Sequence, residues 1–162
     1  MPDDTFDGVI AELRPSPGRR YLATGCMAVL AALLAVTALA RPPALGWQLA
    51  MLAMAVASAW MAQRTWAATS LSVIWRDDGL YDSAGTLIAP LDEIESVDRR
   101  PFAFKPSNGF LIRLRTPGPR GWQPGLWWRM GRRVGVGGTL PGAPARILAD
   151  EIAMTLARRD AG

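Results

Sequence analysis

The sequence predicts a membrane α-helical hairpin joined to a small α+β domain, a bent antiparallel sheet or half-barrel capped by a C-terminal helix. Three observations predict it. Between Tyr21 and Gln63 the only charged side chain is Arg41. From Leu71 onward, short apolar segments alternate with Gly-, Pro- and Asp-Gly-containing turns. Pro144 to Arg159 then carries an apolar stripe at helical spacing. The division that follows is an N-terminal segment over 1–20, a two-helix hairpin over 21–66 with helices at about 21–40 and 43–66, and a domain over 67–162.

Met1 to Arg20 opens acidic, with Asp3, Asp4, Asp7 and Glu12, and closes basic, with Arg14, Arg19 and Arg20. Pro15 and Pro17 are expected to break any helix before the membrane. Phe6, Val9, Ile10 and Leu13 recur at spacings of three and four. That pattern reads either as a short amphipathic helix, lying in the interface or docking on the domain, or as a disordered tail.

Each half of the next stretch is long enough, at about 1.5 Å per residue, to cross a hydrocarbon core about 30 Å thick. Buried helices of soluble proteins rarely run twenty residues without a polar edge, whereas lipid demands it. Gly25, Ala28, Ala31, Ala32 and Ala35 on the first helix, and Ala50, Ala53, Ala57 and Ser58 on the second, offer small-residue faces for close packing. Arg14, Arg19 and Arg20 before the hairpin and Arg64 and Arg76 after it outnumber Arg41 in the Arg41-Pro42-Pro43 connection. Both termini are therefore expected on the cytoplasmic side, with Tyr21, Trp60 and Trp66 near that interface and Trp47 near the other.

Leu71 to Trp75, Leu80-Tyr81 and Thr86 to Ala89 read as a meander, turning at Arg76-Asp77-Asp78-Gly79 and Asp82-Ser83-Ala84-Gly85. Phe110 to Arg115 alternates, with Phe110, Ile112 and Leu114 on one face and Leu111, Arg113 and Arg115 on the other. Thr116 to Pro124 is expected to be a loop; Leu126 to Met130 and Val134 to Val136 are short strands. In the terminal helix Ile147, Leu148, Ile152 and Leu156 form the expected buried stripe, and Arg158 and Arg159 suit its C-terminal dipole.

The run Gly79-Leu80-Tyr81, Gly85-Thr86-Leu87-Ile88 and Ala89-Pro90-Leu91-Asp92-Glu93-Ile94-Glu95-Ser96-Val97 resembles the bacterial pleckstrin-homology-like domains that follow a two-helix membrane hairpin. In those a glycine turn leads into a segment of the form I-P-x-x-x-I-x-x-V. This chain departs from it where Ala89 intervenes before Pro90 and where Leu91 stands for the Trp or Tyr often found after that proline. The resemblance implies a half-open barrel plugged by the terminal helix, in a bacterial inner-membrane protein, a fold that binds lipids, peptides or proteins and is not catalytic. Fold alone does not assign a function.

Histidine is absent and the single cysteine, Cys26, lies inside the first apolar run, so zinc sites, disulfide frameworks and His-dependent nucleophile arrangements are excluded by inventory. Gly131 to Gly138 lacks the GK[ST] ending of a phosphate loop, and Asp77-Asp78 and Asp92-Glu93-Glu95 read as solvated charge. No enzyme activity, cofactor or metal is expected. The distinctive feature is Arg99 to Arg133, nine basic residues with no acid among them. The candidate partner- or lipid-binding residues are Arg99, Arg100, Lys105, Arg113, Arg115, Arg120, Trp122, Trp127, Trp128, Arg129, Arg132 and Arg133. Phe102 and Phe104 interleave with them. Two partners suit such a face beside a membrane: an acidic surface on a neighbouring membrane protein, which makes the chain an accessory or assembly factor, or anionic lipid headgroups, which makes it a lipid sensor. A plain solvated strand face is the competing reading. Nucleic acid is not expected, because no recognisable binding motif accompanies the charge.

Overall fold

The computed structural model describes residues 8–40, 44–98 and 106–161. Two helices, α1 (Pro17–Ala40) and α2 (Leu45–Ala68), pack against each other as a hairpin. Each has 24 residues, about 36 Å at 1.5 Å per residue. Both are long and apolar enough to cross a membrane. Pro17 is the first residue of α1, a position where its missing N–H and fixed φ are no handicap, so it begins the helix instead of ending one.

The hairpin is small inside and large outside. Leu22, Val29, Leu33, Val36, Leu49, Met54 and Val56 are exposed, whereas Ala31 and Ala38 on α1 and Ala55 and Ala62 on α2 are buried. Each buried pair is seven residues apart, the spacing of a left-handed helix seam. The seam therefore runs along a different line from the expected one. Ala31 is buried and Gly25, Ala35 and Ser58 half-buried, but Ala28, Ala32, Ala50, Ala53 and Ala57 face outward. Gln48 donates from Nε2 to the Ala38 carbonyl at 3.0 Å, satisfying one of the carbonyls that the end of α1 leaves without a helical partner.

Nine strands among the described residues form two antiparallel sheets. The first holds β1 (Val9–Leu13), β2 (Val73–Arg76), β3 (Gly79–Asp82) and β4 (Leu87–Pro90) in that order. A 3-10 turn, Leu91–Glu93, leads to the second sheet. Its order is β5 (Ile94–Asp98), β6 (Phe110–Leu114), β9 (Arg133–Val136), β8 (Trp127–Met130), β7 (Gly121–Gln123). The terminal helix α3 (Gly142–Ala161) completes an α+β domain. Trp75, Leu80 and Ile88 of the first sheet meet Ile94, Phe110, Ile112, Leu114, Val134 and Val136 of the second, with Leu148, Ile152 and Leu156 of α3 joining the same core. Ile147, expected in the buried stripe, is 65% exposed; the helix turns Ala145 and Ala149 inward instead, because small side chains let it approach the sheets.

The N-terminal segment docks on the domain, as one of the expected readings had it, but forms neither a helix nor a tail over Val9–Leu13. It is a strand, paired antiparallel with β2 through Leu13 opposite Val73 and Glu12 opposite Ile74. Leu13 is buried in the core and Ile10 faces out, the alternation of a half-buried strand. Spacings of three and four are compatible with a helix, but the partner edge of β2 supplies the backbone hydrogen bonds that decide the matter. Residues on both sides of the α1–α2 hairpin thus share one sheet, and both ends of the hairpin leave the same end of the domain. Further bonds lock that junction. The Ser16 amide donates to the Thr139 carbonyl at 2.9 Å, and Arg19 Nη1 to the Leu140 carbonyl at 3.0 Å. Arg20 lies 3.7 Å from the Trp66 ring centroid and donates from Nη2 to the Trp66 carbonyl and Ser70 Oγ at 3.1 and 2.9 Å.

Two outcomes follow from the β1 pairing. Leu13→Ala should cost about 3 kcal/mol in chemical unfolding in mild detergent, while Ile10→Ala should cost about 0.5 kcal/mol or less. The Arg14 guanidinium, bonded to Glu12 at 2.9 and 3.2 Å, and secondarily the Ser72 hydroxyl hold the Glu12 carboxyl below the usual glutamate range. A depressed folded pKa gives stability that is fully present above the unfolded value and is lost as pH falls through the folded one. The stability difference between wild type and Glu12→Gln should therefore be present at neutral pH and vanish in acid, as read from unfolding midpoints at each pH.

Candidate functional site

The second sheet turns one face into the core and the other outward, and strand alternation sorts the candidate residues between them. Across the sheet, Trp122 pairs with Trp128, Trp128 with Gly135, Gly135 with Leu111, and Leu111 with Asp98. These share the outward face. Two residues further along, Met130 pairs with Arg133, Arg133 with Arg113, and Arg113 with Ser96. Trp122 is 47% and Met130 63% exposed. Gly135 is required beneath Trp128, because a Cβ there would come within 2.4 Å of the indole. The ring lies flat on the strand, which leaves it half-buried.

Trp127 and Arg129 have the opposite phase and point inward, so they are removed from the binding face that the sequence suggested. Trp127 is buried, and its Nε1 donates to Asp82 Oδ2 at 3.3 Å. Asp82, itself buried, accepts from the Ala84 and Thr86 amides through Oδ1 at 3.1 and 2.9 Å. One carboxylate therefore both closes the β3–β4 turn and ties the two sheets together. Arg129 donates from Nε to the Pro119 carbonyl at 2.6 Å and from Nη1 to the Leu87 and Ile88 carbonyls at 3.2 and 3.1 Å. Its burial lowers the guanidinium pKa from the ordinary arginine value, yet arginine remains charged at neutral pH. The charge is spent on the carbonyls of the exposed edge of β4. Gly121–Gln123, expected inside a loop, pairs with β8 as β7 and so supplies the outward position of Trp122.

The acid-free stretch has acids beside it in space. Glu95 Oε2 accepts from Arg132 Nη2 at 3.1 Å and lies 3.4 Å from Arg113 Nε. Arg132 Nε also donates to the Leu114 carbonyl at 2.9 Å. Arg115, Arg120 and Arg133 are exposed and have no ion-pair partner among the described residues. Arg99, Arg100 and Lys105, with Phe102 and Phe104, lie outside the described residues. The exposed cations gather around Met130. Arg133 is its cross-strand partner, Arg113 is next across the sheet, Arg115 shares the parity of Arg113, and Arg120 precedes Gly121, the partner of Arg129.

Position along the strands separates these groups. The β7–β8 turn packs on the last turn of α2: Gly125 has φ +80°, and a Cβ there would come 3.2 Å from Thr69 Cγ2 and 3.6 Å from Thr65 Cγ2. Trp122, Trp128 and Leu111 lie toward that end. Met130 is five residues from Gly125, about 16 Å at 3.3 Å per residue. The face is therefore aromatic beside the hairpin and cationic at the far end. Exposed cations around a thioether are suited to holding a surface.

Arg129→Met should cost about 3 kcal/mol of unfolding free energy, because the Leu87, Ile88 and Pro119 carbonyls lose their donors together. Arg133→Ala, at an exposed position, should leave stability within about 0.5 kcal/mol. Comparison with protein-family models, with curated proteins and with solved structures finds no match to this chain, so any function has to rest on this geometry.

Proposed function

We propose that the protein is a non-catalytic interaction module anchored in a bacterial inner membrane by the α1–α2 hairpin, with both termini and a pleckstrin-homology-like domain in the cytoplasm. In this reading it acts as an accessory or assembly factor that docks on an acidic surface of a neighbouring membrane protein. Support for the anchor comes from the exposed large apolar side chains around a seam of alanine, the reverse of a water-soluble helix pair. Because β1 and β2 pair, both hairpin ends lie on one side, and the basic flanks Arg14, Arg19, Arg20, Arg64 and Arg76 favour the cytoplasm for that side.

The observation that carries the docking reading is the cationic rim around Met130. It lies about 16 Å along the strands from the hairpin end, which leaves about 8–11 Å beyond a headgroup layer about 5–8 Å thick, about one Debye length or more at physiological salt. A rim at that height interacts weakly with headgroups and well with a protein that rises from the membrane beside it. The exposed Met130 adds an adaptable apolar contact at its centre.

The test is copurification from native membranes in mild detergent with a C-terminal tag. One protein should return at fixed stoichiometry. Arg115→Glu, Arg120→Glu and Arg133→Glu combined should reduce its recovery at least tenfold with the unfolding midpoint unchanged. If instead no partner is retained and the protein binds anionic vesicles non-stoichiometrically with steep salt dependence, the same face is a lipid sensor and the docking reading fails.

A further inference from the structure

The aromatic end of the outward face is distinct from the cationic rim, and its position is fixed by the hairpin. Thr65 of α2 and Thr69, the residue that caps it, are buried against the domain, and the Gly125 turn rests on them. Thr65 directly follows Arg64, whose guanidinium lies 5.6 Å from the Trp60 ring centroid. Tyr21 and Trp66 pack with centroids 5.5 Å apart in the same region. Tyr, Trp and Arg side chains at the end of a long apolar helix mark the polar boundary of a bilayer. The turn between β7 and β8 is thus held at headgroup level.

Trp122 lies three residues before Gly125, at most about 10 Å away along the chain. The headgroup layer is about 5–8 Å thick on each side, and an indole extends several ångströms beyond its Cα. Trp122 is nearly half exposed, and the exposed cations of the sheet sit at the opposite end of the face. An indole gains most where its ring meets apolar material and its N–H meets water.

We propose that Trp122 is seated in the headgroup layer of the bilayer that the hairpin spans, with Trp128 behind it, as a third contact beside the two helices. Two packed helices locked to one end of a domain fix its height, but hairpin and domain can still tilt together in the bilayer. A third contact to one side of the hairpin removes the tilt and holds the cationic rim at a constant angle. The occupant is a lipid surface, because the residue is placed by its own anchor at the level where lipid headgroups lie. This inference rests on the membrane reading of the hairpin.

The experiment uses the full chain in proteoliposomes. Cys26→Ala with Trp122→Cys carries an environment-sensitive NBD label, and Cys26→Ala with Met130→Cys carries the same label as the reference. NBD at 122 should emit at shorter wavelength and be quenched at least twofold more by a lipid with a spin label near its headgroup than NBD at 130, with the reverse order for aqueous iodide. Since the label alters the side chain, the emission lost on Trp122→Phe is measured separately and should be quenched by lipids brominated near the headgroup. Equal iodide quenching at 122 and 130, with the lost emission insensitive to brominated lipid, overturns the seating of Trp122; if the protein still resists alkaline extraction, the anchor reading stands. Release of the protein by alkaline extraction overturns both.

Discussion

The pairing of Val9–Leu13 with Val73–Arg76 is the constraint on which the rest of the structure depends. It joins chain segments separated by two long helices, so the apolar hairpin is an insertion within a sheet, not an appendage to a finished domain. Such a long-range pairing has a high closure entropy if the intervening chain is flexible. Here the intervening chain folds back on itself along the alanine seam, which brings Ser16 and Ser70 to the same end of the hairpin. The hairpin and the sheet each make the other easier to close.

Arginine performs the same task throughout the molecule. Arg19 binds the Leu140 carbonyl, Arg20 that of Trp66, Arg129 those of Pro119, Leu87 and Ile88, Arg132 that of Leu114, and Arg159 those of Leu91 and Ile94. Most of these carbonyls lie at helix ends, strand ends and loops, where the regular ladders leave acceptors over; that of Leu91 also accepts from the Ile94 amide. A planar fork with five donors satisfies more than one acceptor at once, which a lysine ammonium does with less geometric precision. Lys105 is the only lysine in the chain. A positive composition therefore does not measure the charge available to a partner. Of the basic residues between Arg99 and Arg133, Arg129 is consumed by the fold and Arg132 and Arg113 share Glu95.

The hairpin and the β2–β4 meander were legible in the sequence, since both depend on local signals, unbroken apolar length in one case and Asp-Gly or Ala-Gly turns in the other. The terminal helix was legible in extent, but the helical stripe was rotated, because Ala145 and Ala149 take inward positions by being small. What was hidden depended on distant partners. Phe6, Val9, Ile10 and Leu13 fit a helical repeat as well as a strand, and the edge that decides between them lies at Val73. The phase of β8 was equally undetermined, because each face receives a tryptophan: Trp127 and Arg129 on one side, Trp128 and Met130 on the other. Gly135 was the available signal, since a large ring needs a bare strand opposite it. Glu95 was not legible as a counter-acid because it enters from the neighbouring strand.

A β-sheet standing on the end of a hairpin gives every outward residue two coordinates, a face from its parity and a height from its distance to the junction. Charge and aromaticity respond to height differently. Coulombic attraction to a headgroup layer decays over about 8 Å in physiological salt, whereas an indole acts only on contact. Residues that serve a membrane surface are therefore useful near the junction, and cations placed a strand's length away act on something that itself rises from that surface. Trp122 and Met130 occupy these two heights on one face, eight residues apart in the chain and separated only by the β7–β8 turn and one strand. A single short hairpin thereby carries both positions, and moving either residue by one position would turn it into the core, while moving it by two would change its height by about 7 Å without changing its face.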